Sequence, residues 1–188
     1  MQLIHYWNFR AAQPRKLPTP PWPLPKCSPP NEDYYKVNFD GAIFKEEDKA
    51  SIGVIIRNYH GMVMASLSQN ISLPQTVVEL ETLAATKALE FSLELDFIKA
   101  ILEGDSESVM KTLQNDSPSL ASFGQLIKDA QSAANLFTCI RFLHVGRNGN
   151  SVAHNLTRYA RYVTGFSIWM KDVPFQTLAA YHSDLPIP

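Results

Sequence analysis

Cysteine is scarce in this chain: only Cys27 and Cys139 occur among 188 residues. Two thiols cannot frame a disulfide-stapled fold, and no C-x-x-C pair is present to clasp zinc. Long apolar runs are missing as well. None approaches the ~18 residues that a membrane span requires. Nor is there a strong net charge, with 17 Lys and Arg against 18 Asp and Glu. No global field therefore draws the chain to nucleic acid, and any such binding must rest on a local patch. Residues 1–15 lack the apolar core of a secretory signal. The expectation is an intracellular protein, nuclear or cytoplasmic and not secreted, in a reducing compartment. On that expectation the N-x-S/T triplets at Asn70, Asn115 and Asn155 are coincidental.

What is present suits one globular domain with an appended lead. Apolar residues make up 45% of the chain, enough to build a core at this length. Eight of the 13 prolines fall between Pro14 and Pro30. Such a stretch cannot bond into a helix or sheet and tends to extend, so residues 1–33 read as a linker. A proline-rich recognition ligand is the alternative. The domain itself is expected over 34–165, with a C-terminal tail over 166–188.

From Tyr35 the pattern alternates: Tyr35, Val37 and Phe39 fall on one face of a strand, and Lys36, Asn38 and Asp40 on the other. Strands are also expected over 51–57 and 62–68, joined by polar turns into an antiparallel meander. The period then becomes helical over 77–95, with Val77, Ala84, Ala88, Phe91 and Leu95 on one stripe. A strand over 97–102, a helix over 107–113, a helix over 119–135 and a strand over 136–145 follow. A last helix begins near Val152. This order, three hairpin-linked strands and then alternating helices and strands, predicts an α/β fold with a mixed sheet and helices on its faces.

Three acids stand out in that arrangement. Asp40 lies at the end of the first strand, followed by Gly41, where backbone can approach a ligand closely. Alone, Asp40-Gly41 reads as a turn. Glu81 lies within the apolar stripe of the long helix, where a carboxylate is costly unless paired or bound to metal. Alone, it reads as a boundary residue reaching water. Asp105 stands between a strand and a helix, and alone it reads as an N-cap. If the fourth strand lies beside the first, all three meet at one sheet end. Converging carboxylates repel unless a cation sits between them, and hard oxygen donors select Mg²⁺ or Mn²⁺. Two such ions about 4 Å apart serve phosphodiester cleavage.

The charge distribution fits a phosphate-bearing ligand. Ala130 to Met170 contains no Asp or Glu, yet holds Arg141, Arg147, Arg158 and Arg161 together with His144 and His154. A solvated basic face with no ligand is the alternative.

Several blocks together resemble the ribonuclease H fold, and more narrowly the plant ribonuclease H-like domains related to retroelement reverse transcriptases. They are Lys36-Val37-Asn38-Phe39-Asp40-Gly41-Ala42, Gly53 to Gly61, Glu81 to Leu89, Glu103-Gly104-Asp105-Ser106 and Arg147 to Leu156. The resemblance covers about four-fifths of the chain, from Lys36 to the C-terminus. It implies a five-stranded mixed sheet with helices on both faces. It also implies an endonuclease that cuts the RNA strand of an RNA–DNA hybrid with two Mg²⁺ (or Mn²⁺) ions. Asp40, Glu81 and Asp105 match the metal-binding acids. His154 takes the place of a fourth catalytic position that is Asp in well-studied members. Imidazole is a poorer Mg²⁺ ligand, so the resemblance leaves a weaker second ion, a preference for Mn²⁺, or a role for His154 in proton transfer or product release. Gly41, Arg147 and Asn150 match positions beside the nucleic acid. The expected protein is a monomer that binds hybrid, with no membrane and no small-molecule cofactor. A domesticated module that binds nucleic acid without cutting it is the alternative, and a remnant with neither property is a third reading.

Overall fold

A computed structural model describes residues 30–114 and 123–185. Most of the lead read as a linker, and Pro118 with the start of the helix expected at 119, lie outside the described residues. Six strands form one sheet, in the order β5-β4-β1-β2-β3-β6. They are β1 (Tyr35–Phe44), β2 (Lys49–Arg57), β3 (Val63–Ser72), β4 (Lys99–Gly104), β5 (Cys139–His144) and β6 (Phe166–Met170). The neighbours β1, β2, β3 and β6 run antiparallel, whereas β4 runs parallel to β1 and β5 parallel to β4. The helices are α1 (Val77–Glu94), α2 (Glu107–Gln114), α3 (Gly124–Ala134), α4 (Ser151–Tyr159) and α5 (Leu178–Asp184). None is long and apolar enough to cross a membrane.

The mixed sheet and its meander follow the sequence reading, and β4 does lie beside β1. The strand count does not. The sixth strand comes from the segment read as a tail: Phe166–Met170 pairs with β3, from Ala65↔Met170 to Gln69↔Phe166. The alternation of apolar Phe166, Ile168 and Met170 with Ser167 and Trp169 explains it. Ser167 and Trp169 take the more covered side, and the Trp169 ring meets Tyr159 edge-on at 5.6 Å. A boundary of β4 also moves. Phe97, expected in the strand, instead closes α1, its N–H donating to the Ser92 carbonyl at 2.9 Å across a left-handed Asp96 (φ 62°). That is a helix C-cap, with aspartate tolerating the conformation usually left to glycine.

Both sheet faces are covered. Val37, Phe39, Val54, Ile56, Ala65, Leu67, Ala100 and Leu102 pack under α1, α2 and α3, against Leu80, Ala84, Ala88, Phe91, Met110 and Ile127. On the other face Ile55 and Val63 meet Val152, Ala153 and Leu156 of α4, with Val173 beside them. The small residues Ala84, Ala85 and Ala88, all fully buried, let α1 lie close on the sheet. Its start is set by a capping box. The Glu79 N–H donates to Thr76 Oγ1, and the Thr76 N–H to Glu79 Oε2, each at 3.1 Å.

Two features pin α4. The hydroxyls of Ser51 and Ser68 donate to the Thr157 and Leu156 carbonyls at 2.8 and 2.9 Å, satisfying acceptors at the helix's C-terminal end. Gly53 lies directly beneath the helix: a Cβ there would stand 2.5 Å from the Ala153 carbonyl oxygen and 2.6 Å from the Thr157 nitrogen. Only glycine allows that approach.

Two outcomes follow. Thr76→Ala removes one half of the α1 cap and should lower stability by about 1 kcal/mol in urea unfolding. Gly53→Ala should cost more, about 1–3 kcal/mol, because backbone rather than a flexible side chain must yield.

Candidate metal centre

The β1–β4 ladder ends at the pair Asn38↔Glu103. Beyond it β1 continues to Phe44 along β2, while β4 finishes at Gly104. A gap therefore opens beside Asp40 at the carboxyl end of β4, the kind of crevice where α/β sheets bind ligands. Asp105 is the first residue past β4. Glu81 arrives from the first turns of α1 on one face of the sheet, and His154 from α4 on the other.

The structure brings the three sequence-predicted acids together. Asp40, Glu81 and Asp105 each offer a carboxylate oxygen, and these oxygens lie within 4.8 Å of one another. Asp40 and Glu81 are 1% and 2% exposed. Asp105 is half-buried. Ser106 rather than Asp105 opens α2, its carbonyl accepting from the Met110 N–H at 3.0 Å. Asp105 thus stands one residue before the N-cap position. Glu81, buried in the apolar stripe of α1, is not a boundary residue.

His154 is bonded to one of the acids. Its Nδ1 lies 2.8 Å from Asp40 Oδ2. An ionised carboxylate accepts, so Nδ1–H is the donor to Asp40. The imidazole is thus a partner of Asp40 and does not belong to the three-acid group.

Two expected contact residues are buried. Asn150 is 1% exposed and donates to the Phe39 carbonyl at 2.7 Å, tying the turn before α4 to the strand that carries Asp40. Gly41 is buried under α1, where a Cβ would meet Leu80 Cγ at 2.6 Å. The glycine lets Leu80, and with it the adjoining Glu81, settle onto β1. Arg147 is half-buried in the turn of residues 147–150, just past the end of β5.

The basic stretch does not form one patch. Arg141 lies over the Tyr34 ring at 4.8 Å, in the register row of Ile101, remote from the carboxyl end of β4. Arg161 covers the Phe44 ring and pairs with Glu47. Arg147 lies in the turn that leads into α4, and the exposed Arg158 stands one helical turn after His154 on that helix.

Sequence reasoning missed the layer beneath the site. Lys36 and Asn38 were assigned to the polar side of β1, and that side is buried. Lys36 pairs with Glu103, and Asn38 bonds to both Glu103 and Arg57. The available signal was the presence of Lys36, Asn38 and Arg57 in otherwise apolar strands.

A search among curated proteins found no match. Solved structures share the fold. The RNase H1 of the halophilic archaeon Halobacterium salinarum is 24% identical, the match covering 69% of this chain and 98% of that one, with a TM-score of 0.62. The N-terminal RNase H domain of a Mycobacterium tuberculosis protein is 21% identical over 80% of this chain and 97% of that one, at 0.60. LC11-RNase H1, in complex with an RNA/DNA hybrid, is 21% identical over 66% and 94%, at 0.56. Identities this low speak for the fold alone. Residues 38–160, more than half of the chain, match the pattern of the reverse transcriptase-like family. The chain therefore belongs to the reverse transcriptase-like family and carries the ribonuclease H fold.

Proposed function

We propose that the protein is a metal-dependent endonuclease that cleaves the RNA strand of RNA–DNA hybrids. The observation that carries this reading is the convergence of Asp40, Glu81 and Asp105, with oxygens within 4.8 Å, on a ribonuclease H fold. The donor set fits the group it would hold. Carboxylate oxygens without thiolate or paired imidazole suit Mg²⁺ or Mn²⁺. When bound, two such ions supply an activated water and stabilise the leaving oxygen of the cleaved phosphodiester.

The residues divide that work. Asp40, bonded to His154 through one oxygen, would hold the cations together with Glu81 and Asp105. Glu81 and Asp105 approach from α1 and from the end of β4, and would supply the other carboxylate donors. The bond from Nδ1 to Asp40 fixes the His154 ring beside the acids, where an imidazole is suited to proton transfer. On this reading Arg147 and Arg158 meet phosphates of the bound strands. Asn150 supports β1 from within.

A second reading rests on one observation. The bond from His154 engages an Asp40 oxygen at 2.8 Å, in a position where a fourth carboxylate would otherwise add a donor. On that reading the protein binds nucleic acid without cutting it. Divalent-cation dependence separates the two.

Asp105→Asn should reduce cleavage of a labelled RNA–DNA hybrid by at least about a hundredfold while the circular dichroism spectrum is retained. Unchanged cleavage in that variant would remove the site assignment. His154→Asp adds a carboxylate beside Asp40. It should lower the Mg²⁺ concentration for half-maximal cleavage about tenfold and lower the unfolding temperature in chelator, since four acids then repel. A titration curve that does not move would contradict the role given to His154.

A further inference from the structure

A row of buried polar side chains runs directly beneath the three acids, and the chemistry above uses none of them. It begins on the last residue of α5. Asp184 Oδ2 accepts from Arg57 Nη1 at 2.6 Å. Arg57 Nη2 donates to Asn38 Oδ1 at 2.8 Å. Asn38 Nδ2 donates to Glu103 Oε2 at 2.9 Å, and Lys36 Nζ closes the row 2.9 Å from Glu103 Oε1. No member is more than 5% exposed. Two cations and two anions leave the row neutral.

Stability alone is a weak reason for such a row. Buried ion pairs of this kind are often matched or bettered by apolar residues of similar volume, whereas removal of one partner leaves a costly buried charge. Position supplies a better reason. Asn38 and Glu103 form the last facing pair of the β1–β4 ladder. Asp40 stands two residues beyond Asn38, and Asp105 two residues beyond Glu103. The amide–carboxylate bond between Asn38 and Glu103 thus ties the two strands together at the point from which both acids depart, about 7 Å away along each strand.

We propose that Lys36, Asn38, Arg57, Glu103 and Asp184 form a positioning layer for the metal-binding acids, with the C-terminal helix as its far anchor. The proposal rests on the metal reading given above. Arg57 uses one arm of its guanidinium for Asp184 and the other for Asn38, a geometry that a point charge cannot copy. Loss of the Asp184 charge leaves the buried Arg57 guanidinium held through Asn38. β1 and β4 then shift where Asp40 and Asp105 leave them. Small shifts matter because Mg²⁺ and similar ions demand near-ideal geometry at about 2.0–2.1 Å.

The test is calorimetric binding of Mn²⁺ to the full chain, with unfolding temperature measured in parallel. Asp184→Asn should weaken Mn²⁺ binding about tenfold, the low end for outer partners of metal ligands, and Asp184→Glu should restore most of it. Arg57→Lys, which keeps the charge and loses the fork, should weaken Mn²⁺ binding severalfold and decides the matter if Asp184→Asn does not fold. Ile127→Val, in the opposite core, should lower the unfolding temperature without changing Mn²⁺ affinity. Wild-type affinity in both folded Asp184→Asn and Arg57→Lys, or equal weakening in Ile127→Val, would overturn the positioning layer while leaving the metal site intact. Absence of Mn²⁺ binding by the wild-type chain would instead overturn the metal reading and this inference with it.

Discussion

Mutual repulsion among three carboxylates is the constraint around which this fold is built. Asp40 and Glu81 are almost wholly removed from water, and Asp105 joins them within 4.8 Å. Charge held this way is expensive unless a counter-charge is supplied. His154 bonds one oxygen of Asp40, at 2.8 Å. Hard oxygen donors gathered in this way suit a cation.

The rest of the structure keeps those acids where they are. β4 stops while β1 continues, which opens the gap beside Asp40. Leu80 fills the space over Gly41 and brings Glu81 down with it. Gly53 and the two sheet serines hold α4 close enough for His154 to reach Asp40. The buried row from Asp184 to Lys36 sets the spacing of β1 and β4. Each device is a matter of backbone approach or polar satisfaction, and each acts on the same few ångströms. The C-terminal helix belongs to that construction: Asp184, 127 residues from Arg57 in sequence, closes a bond at 2.6 Å.

Much of this was legible in the sequence, for physical reasons. The period-2 run from Tyr35 placed Asp40 near the end of the β1–β4 ladder, and the period-3.6 run from Val77 placed Glu81 in the stripe of α1 that must be buried. Asp105 followed from the strand before it. Other features were opaque. Phe166, Ile168 and Met170 alternate as a strand should, yet a short edge strand after a turn carries no signal of which partner it will find. The pairing of Arg57 with Asp184 depends on tertiary placement alone. Gly41 and Asn150 showed their residue types but not their burial, so sites of close packing were indistinguishable from sites of ligand approach. Phe97 was read as a strand because its side chain favours one, and the helix cap through Asp96 overrode that preference.

The measurement that bears most directly on the cation site is thermal unfolding of the wild-type chain in chelator and then across a Mn²⁺ series, repeated with Glu81→Gln. A ligand that binds only the folded state raises its unfolding temperature with concentration. The account predicts a rise that saturates in the wild-type chain and is largely lost in Glu81→Gln. An unfolding temperature indifferent to Mn²⁺ in the wild-type chain would contradict it.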